Sequence, residues 1–173
     1  MPFTVQLDLD ARTQSALTAL AARIDTIPGL ETVGQIGDVH HLSLAVYEEL
    51  PVGLVLPKLR SFADSLRPLA LRIANIGIFP GGALFLGVVV TAELLALHRR
   101  YHNDLAAFSG ACSAHYRPGA FVPHITLALN AQEAALDRAI PIVRDQWRPS
   151  DAELDALRLI EFRPVRTLFL QSL

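Results

Sequence analysis

Two short segments, far apart in the chain, carry the same order of residue types. Residues 41–44 read HLSL and residues 124–127 read HITL, so each has a histidine, an apolar residue, a hydroxyl and a second apolar residue. Residues two apart in a strand face the same side, so His41 is expected to share a face with Ser43, and His124 with Thr126. The alternate apolar residues are expected to point into a core.

Two facing imidazoles could open or form a phosphodiester. In-line attack at phosphorus needs a base on the attacking oxygen and an acid on the leaving oxygen. Histidine titrates near pH 6.5, so one ring can be neutral while the other is protonated. The hydroxyls of Ser43 and Thr126 could donate to the nonbridging oxygens. This chemistry requires no metal and no other cofactor, and the alternative interpretation is two structural histidines.

Three further residues are weaker candidates for ligand contact. Strict alternation continues the polar faces to Tyr47 in one strand and to Asn130 in the other, each after an alanine that leaves room for a ligand. Both could contact a base or ribose, or could pack at a strand end. Arg117, shortly before the second motif, could contact phosphate or could be a surface residue.

Other polar side chains have simpler interpretations. His40 should face away from His41 and have a structural or surface role. His98 and His102 lie four apart on a predicted helix, where they could bind a metal, but a solvated helix face is favoured because Arg99 replaces a metalloprotease glutamate. Cys112 is interpreted as a small buried apolar residue.

Composition limits the class of protein. The 173 residues are 51% hydrophobic and 18% charged, which predicts a compact fold with a sizeable core. Fifteen Lys and Arg against 17 Asp and Glu disfavour a protein that coats nucleic acid. A single cysteine, no visible export signal and no apolar run long enough to cross a membrane favour the cytoplasm.

Periodicity and turn residues predict strands that alternate with helices. Helices are predicted to begin at caps formed by Asp10, Thr91 and an Asn130–Glu133 capping box. Strands are predicted over 3–9, 39–47, 69–79, 83–90, 122–129, 154–163 and 165–170, and helices over 11–27, 52–66, 92–108 and 131–147.

The order of these elements repeats after the turn at residues 80–82. Equivalent positions are separated by a nearly constant 80 to 84 residues, and His41 and His124 differ by 83. This spacing predicts an internal duplication. We therefore expect a single domain over 1–173 with two pseudo-symmetric lobes, built from approximate repeats 1–80 and 81–163 and a C-terminal strand.

The paired motifs, together with the stretches FPGGALFLGV at 79–88 and FVPHITLAL at 121–129, resemble the two-histidine phosphoesterase superfamily. That superfamily includes RNA 2',5'-ligase-like proteins and cyclic nucleotide phosphodiesterases. The resemblance implies a bilobal α+β fold with two antiparallel sheets around a central cleft and helices outside. It also implies cleavage or formation of 2',3'-cyclic or 2',5' phosphate linkages, with His41 and His124 catalytic and Ser43 and Thr126 assisting.

Departures from the family pattern and the charge balance refine the expected partner. Asn130 stands where many RNA-acting members have a basic residue, and Val39-His40 replaces a more usual proline before the first motif. We therefore expect a nucleotide or an RNA terminus bearing a cyclic phosphate, and no long nucleic acid. The alternatives are a noncatalytic phosphate or RNA-end binding protein of the same fold and a metal hydrolase that uses His98 and His102.

Overall fold

The structure is a computed structural model that describes residues 2–173. These residues form eight strands, four α-helices and two short 3-10 helices at Ala106–Ala111 and Ala114–Tyr116. The strands are β1 (Phe3–Leu9), β2 (Glu31–Thr32), β3 (His41–Tyr47), β4 (Leu69–Phe79), β5 (Ala83–Val88), β6 (His124–Leu129), β7 (Ser150–Glu161) and β8 (Arg166–Ser172). The α-helices are α1 (Ala11–Ala22), α2 (Val52–Asp64), α3 (Ala92–Asp104) and α4 (Glu133–Gln146).

The helix caps show where local sequence decides the ends of the helices. Asp10 begins α1 by accepting a hydrogen bond from the Thr13 amide at 2.9 Å, and Thr91 begins α3 in the same way, as predicted. The prediction of a capping box formed by Asn130 and Glu133 is wrong. Asn130 has a left-handed φ of 50°, and α4 starts after Gln132 without a side-chain cap. The short strand β2 was not predicted.

All strand pairings are antiparallel, which confirms the predicted α+β class. The hydrogen-bonded order is β1-β3-β6-β5-β4-β7-β8, and β1 also pairs with β7. Strands β3, β1, β7 and β8 form one side, and β2, β6, β5 and β4 form the other. The β4–β7 ladder and one β3–β6 residue pair join the two predicted sheets into a continuous set.

Each side of this arrangement takes strands from both halves of the chain. The last strand of the first half, β4, pairs with β5, and the corresponding strand of the second half, β7, pairs with β1. Corresponding strands therefore have corresponding partners. This agreement supports the duplication, which remains a prediction, and it means that neither half completes a sheet alone.

The buried face of the sheet holds the apolar residues of both histidine motifs. Leu42, Leu44, Ile125 and Leu127 are fully buried, as their alternation predicts. They belong to one hydrophobic core that includes residues of all four helices. None of the helices in residues 2–173 is long and apolar enough to cross a membrane.

His98 and His102 do not form the predicted solvated helix face. Both are buried, and their Nε2 atoms lie 3.1 Å apart. His98 Nε2 donates to the Tyr116 carbonyl at 2.9 Å, and His102 Nε2 lies 3.3 Å from the Leu44 carbonyl. The pair thus ties α3 to β3 and to the segment around Tyr116, because these carbonyl groups need partners in the interior.

We expect the free energy of unfolding to decrease as the pH falls below about 6.5. Burial lowers the pKa of His98 from 6.5 to about 4 and also lowers the pKa values of His40 and His102. The unfolded chain therefore binds protons that the folded chain excludes, and His98 alone should contribute a loss on the order of 2 kcal/mol near pH 5. Chemical denaturation at neutral pH and near pH 5 measures this difference.

A smaller pH dependence is expected in His98→Gln, which cannot titrate but can still donate to the Tyr116 carbonyl. His115→Ala is the control, because His115 is exposed. Equal unfolding free energies at the two pH values in the wild type would contradict the prediction.

Candidate active site

The two motifs lie side by side on β3 and β6. The antiparallel pairing of Leu42 with Ile125 brings His41 level with Thr126 and Ser43 level with His124. His41, Ser43 and Thr126 line a cavity of about 260 Å³. His124 is not part of its lining, but its ring centroid lies 6.4 Å from that of Tyr116, which lines the same cavity. The structure thus brings together the four residues that the motifs single out.

Both histidine rings are held in the same way. The Nδ1 of His41 donates to the Val39 carbonyl, and the Nδ1 of His124 donates to the Val122 carbonyl, each at 2.8 Å. These bonds place the proton of a neutral ring on Nδ1 and leave Nε2 for acid or base chemistry. In His41 the Nε2 lies 3.1 Å from the Ser43 hydroxyl.

A β-bulge follows the hydroxyl residue in both strands. In β3, Ser43 pairs with Gln6 and Ala45 with Val5, so Leu44 is the extra residue. In β6, Thr126 pairs with Phe85 and Ala128 with Leu84, so Leu127 is the extra residue. A bulge breaks the alternation of side chains, and Val46 and Leu129 line the cavity in consequence.

The bulges explain why Tyr47 and Asn130 are not at the cavity. Tyr47 points into the core, where its hydroxyl is 2.9 Å from that of Tyr101 and burial raises its pKa to about 12. Asn130 is exposed, and its amide donates to Glu31 at 3.4 Å. The strict alternation used to predict them does not hold beyond Ser43 and Thr126.

Arg117 also lies away from the cavity, and its hydrogen bonds hold a loop together. The guanidinium donates to the Cys112 carbonyl at 2.7 and 3.0 Å and to the Gly110 carbonyl at 3.3 Å. Cys112 is buried, as expected. His40 is structural, since it is buried and its Nδ1 bonds the Thr126 carbonyl at 3.1 Å.

Aromatic rings surround His124. The ring centroids of Phe79, Phe85 and Tyr116 lie 4.7, 5.3 and 6.4 Å from that of His124. Burial lowers the pKa of His124, and a positive charge on His41 lowers it further. Gly77 permits this packing, because a Cβ there would lie 2.3 Å from the Phe85 ring. Both effects favour the neutral form of the His124 ring.

Polar and charged groups surround His41 instead. Asp38 Oδ2 lies 3.6 Å from His41 Nδ1. Gln6 donates to both Asp38 and Asp8 at 3.3 Å, and Arg158 pairs with Asp8 at 2.6 Å. Gln6 Oε1 is a buried acceptor without a protein partner in the described chain.

Several of these neighbours could not be found from the motifs alone. Gln6 and Phe85 are next to the motifs only through the register of β1 and β5, and Tyr116 reaches the cavity from a 3-10 helix. The nearness of Asp38 to His41 could have been predicted from the sequence, because Asp38 lies three residues before His41. No cluster of three or more His, Cys, Asp or Glu side chains that could hold a metal ion occurs within residues 2–173.

Solved structures with this fold include two bacterial proteins. The crystal structure of TT0787 of Thermus thermophilus is 21% identical with a TM-score of 0.67, and covers 100% of this chain and 98% of that chain. E. coli LigT in apo form is 22% identical with a TM-score of 0.67, and covers 99% of this chain and 96% of that chain. The E. coli LigT complex with 3'-AMP is 20% identical with a TM-score of 0.65 and the same coverage.

At these identities the likeness to solved structures shows the fold alone, and no curated protein matches the chain. The family follows from a different comparison, in which the model of the 2'-5' RNA ligase superfamily matches residues 2–165. The chain therefore belongs to the 2'-5' RNA ligase superfamily of two-histidine phosphoesterases.

Proposed function

We propose that the protein is a metal-independent phosphodiesterase that acts on 2',3'-cyclic phosphates or 2',5'-linked nucleotide or RNA ends. The observation that carries this proposal is the pair of imidazoles on adjacent strands, each fixed through Nδ1 and each level with a hydroxyl of the other motif. Binding alone does not need two imidazoles held in this way, whereas transfer of a proton at each end of a phosphodiester does.

The reaction divides the roles between the rings. One Nε2 takes a proton from water or a ribose hydroxyl as its oxygen bonds to phosphorus. The other Nε2 gives a proton to the leaving oxygen as its bond to phosphorus breaks. The hydroxyls of Ser43 and Thr126 donate to the nonbridging oxygens and stabilise the charge that develops there.

The cavity favours a small substrate or the end of a longer one. Among the described residues, those that line the cavity include neither Lys nor Arg. Two nearby arginines have acidic partners, since Arg158 pairs with Asp8 and Arg163 with Glu31, each at 2.6 Å. A long RNA is held mainly through unpaired cations along its backbone. Structures of LigT with 3'-AMP, ATP and NADP+ show nucleotide binding in a protein of this fold.

His41→Ala and His124→Ala are each expected to lower kcat by at least about 100-fold, because each removes a proton-transfer group. The measurement is turnover of a nucleoside 2',3'-cyclic phosphate, of a 2',5'-linked dinucleotide and of an RNA ending in a cyclic phosphate, with chelator present. His115→Ala is the matched control, and thermal unfolding shows that each variant is folded.

Unchanged turnover in both histidine variants would contradict the mechanism. Tight binding of these ligands by the wild type without any product would instead support a noncatalytic binding protein. Loss of all wild-type activity in chelator would point to a bound metal.

Tyr47→Phe and Asn130→Ala are expected to keep turnover within about twofold of the wild type, since neither side chain is at the cavity. Tyr47→Phe should lower the free energy of unfolding by about 1 kcal/mol, because the hydrogen bond with Tyr101 is lost.

Ser43→Ala and Thr126→Val, which remove cavity hydroxyls, should lower kcat by about tenfold or more. Steady-state kinetics and denaturation of the four variants make the comparison. A large kcat loss in Tyr47→Phe would show that the bulge does not remove this residue from the site.

A further inference from the structure

The two catalytic histidines occupy matched positions but have unlike neighbours. In β1, Asp8 lies beside His41 and Gln6 beside Ser43. In β5, Gly87 lies beside His124 and Phe85 beside Thr126. The three residues before each histidine also differ, because they begin with Asp38 in one motif and Phe121 in the other. The strand positions of the two histidines are therefore equivalent, whereas the charges around the two rings differ.

Asp38 is a buried carboxylate directed at His41. Its side chain is 3% exposed, and Oδ2 lies 3.6 Å from His41 Nδ1. Its other oxygen, Oδ1, accepts from the Val39 amide at 2.8 Å and from Gln6 at 3.3 Å. These two bonds hold the carboxylate in place, with Oδ2 beside Nδ1, the ring nitrogen that donates to the Val39 carbonyl. Asp38 also lines the cavity.

The other charged and titratable groups around His41 are already engaged. Asp8 is paired with Arg158, and His40 turns its ring toward the Thr126 carbonyl. Among the described residues, Asp38 forms no ion pair with Lys or Arg, and its ion-pair partner is His41. An imidazolium at His41 would therefore be paired with Asp38 across 3.6 Å.

Among the described residues, no acid takes the corresponding place beside His124. Phe121 takes the place of Asp38 and stacks on His98 with centroids 3.8 Å apart. Phe79 and Phe85 pack against the His124 ring, and burial lowers its pKa. Its Nδ1 donates to the Val122 carbonyl, and the neutral ring presents an unprotonated Nε2. These surroundings suit a proton acceptor.

We propose that Asp38 is a positioning residue that makes His41 the general acid, which leaves His124 as the general base. The assignment rests on the proposed phosphodiesterase function. When the ribose 3'-hydroxyl attacks a 2',5' linkage, His124 Nε2 removes the proton from that hydroxyl while the new P–O bond forms. His41 Nε2 gives its proton to the leaving oxygen while the old P–O bond breaks, and Asp38 Oδ2 stays beside His41 Nδ1. Solvent then returns both rings to their starting protonation.

The test compares two leaving groups. One substrate is 2',5'-linked diuridine, in which the ribose 3'-hydroxyl attacks phosphorus and the leaving 5'-alkoxide needs a proton. The other is uridine 2'-(4-nitrophenyl phosphate), whose nitrophenolate leaves without one. The variants are Asp38→Asn, His41→Ala and His124→Ala. Asparagine keeps the oxygen that accepts from the Val39 amide, and Asp151→Asn is the control because Asp151 pairs with Arg72 at the surface.

We expect Asp38→Asn to lose about tenfold and His41→Ala at least about 100-fold on the substrate with the poor leaving group. Both should stay within about threefold of the wild type on the nitrophenyl ester, because no general acid is needed there. His124→Ala should lose activity on both. A merely structural role of Asp38 would lower both activities equally.

Equal losses of Asp38→Asn on the two substrates would overturn the role of Asp38. Rescue of His124→Ala instead of His41→Ala by the nitrophenyl ester would overturn the acid and base assignment, even if Asp38→Asn failed to fold. A folded wild type that does not turn over 2',5'-linked diuridine would overturn this assignment. If it also failed to turn over the 2',3'-cyclic phosphates, the proposed function would fall as well, which is a different result from either of the others.

Discussion

The cleft depends on one contact, the pairing of Leu42 with Ile125 between β3 and β6. Both side chains are fully buried, so the burial of apolar surface holds these strands together from the core side. Because side chains alternate across a strand, the same contact presents both histidines and both hydroxyls on the opposite face. No further residue pair joins β3 and β6 within residues 2–173.

The two histidines lie at matched positions on their strands but have different neighbouring side chains. This arrangement suits a reaction in which one bond to phosphorus forms and another breaks. Bond making and bond breaking at phosphorus need similar distances but opposite proton movements. Matched strands and matched Nδ1 hydrogen bonds supply the distances. Asp38 on one side and the phenylalanines Phe79 and Phe85 on the other supply the difference.

The parts of the site that could be predicted are those written in local patterns. The motifs, the ends of β1 and β4 and the Asp10 cap depend on residues close in the chain. The prediction that Tyr47 and Asn130 contact the ligand did not account for the bulges at Leu44 and Leu127. These bulges lie between apolar residues, so nothing in the sequence marks the point where the alternation of side chains ends. His98 was predicted to be solvated because its hydrogen-bond partner in the interior, the Tyr116 carbonyl, comes from a different segment of the chain. Gln6 and Phe85 required the register of strands that only the fold provides.

The exchange of strands between the halves makes them mutually dependent. Within residues 2–80, β1 can pair with β3, but β4 has no partner, because both of its neighbours, β5 and β7, come from the second half. A chain cut at the turn over residues 80–82 would give two pieces with long unpaired edges, which are prone to aggregate when separate. Each piece can complete its sheet by recombining with the other, which restores both histidines to one cleft. The peptide link at residues 80–82 only keeps the two halves together, whereas the pairing of their strands brings the two histidines into one site.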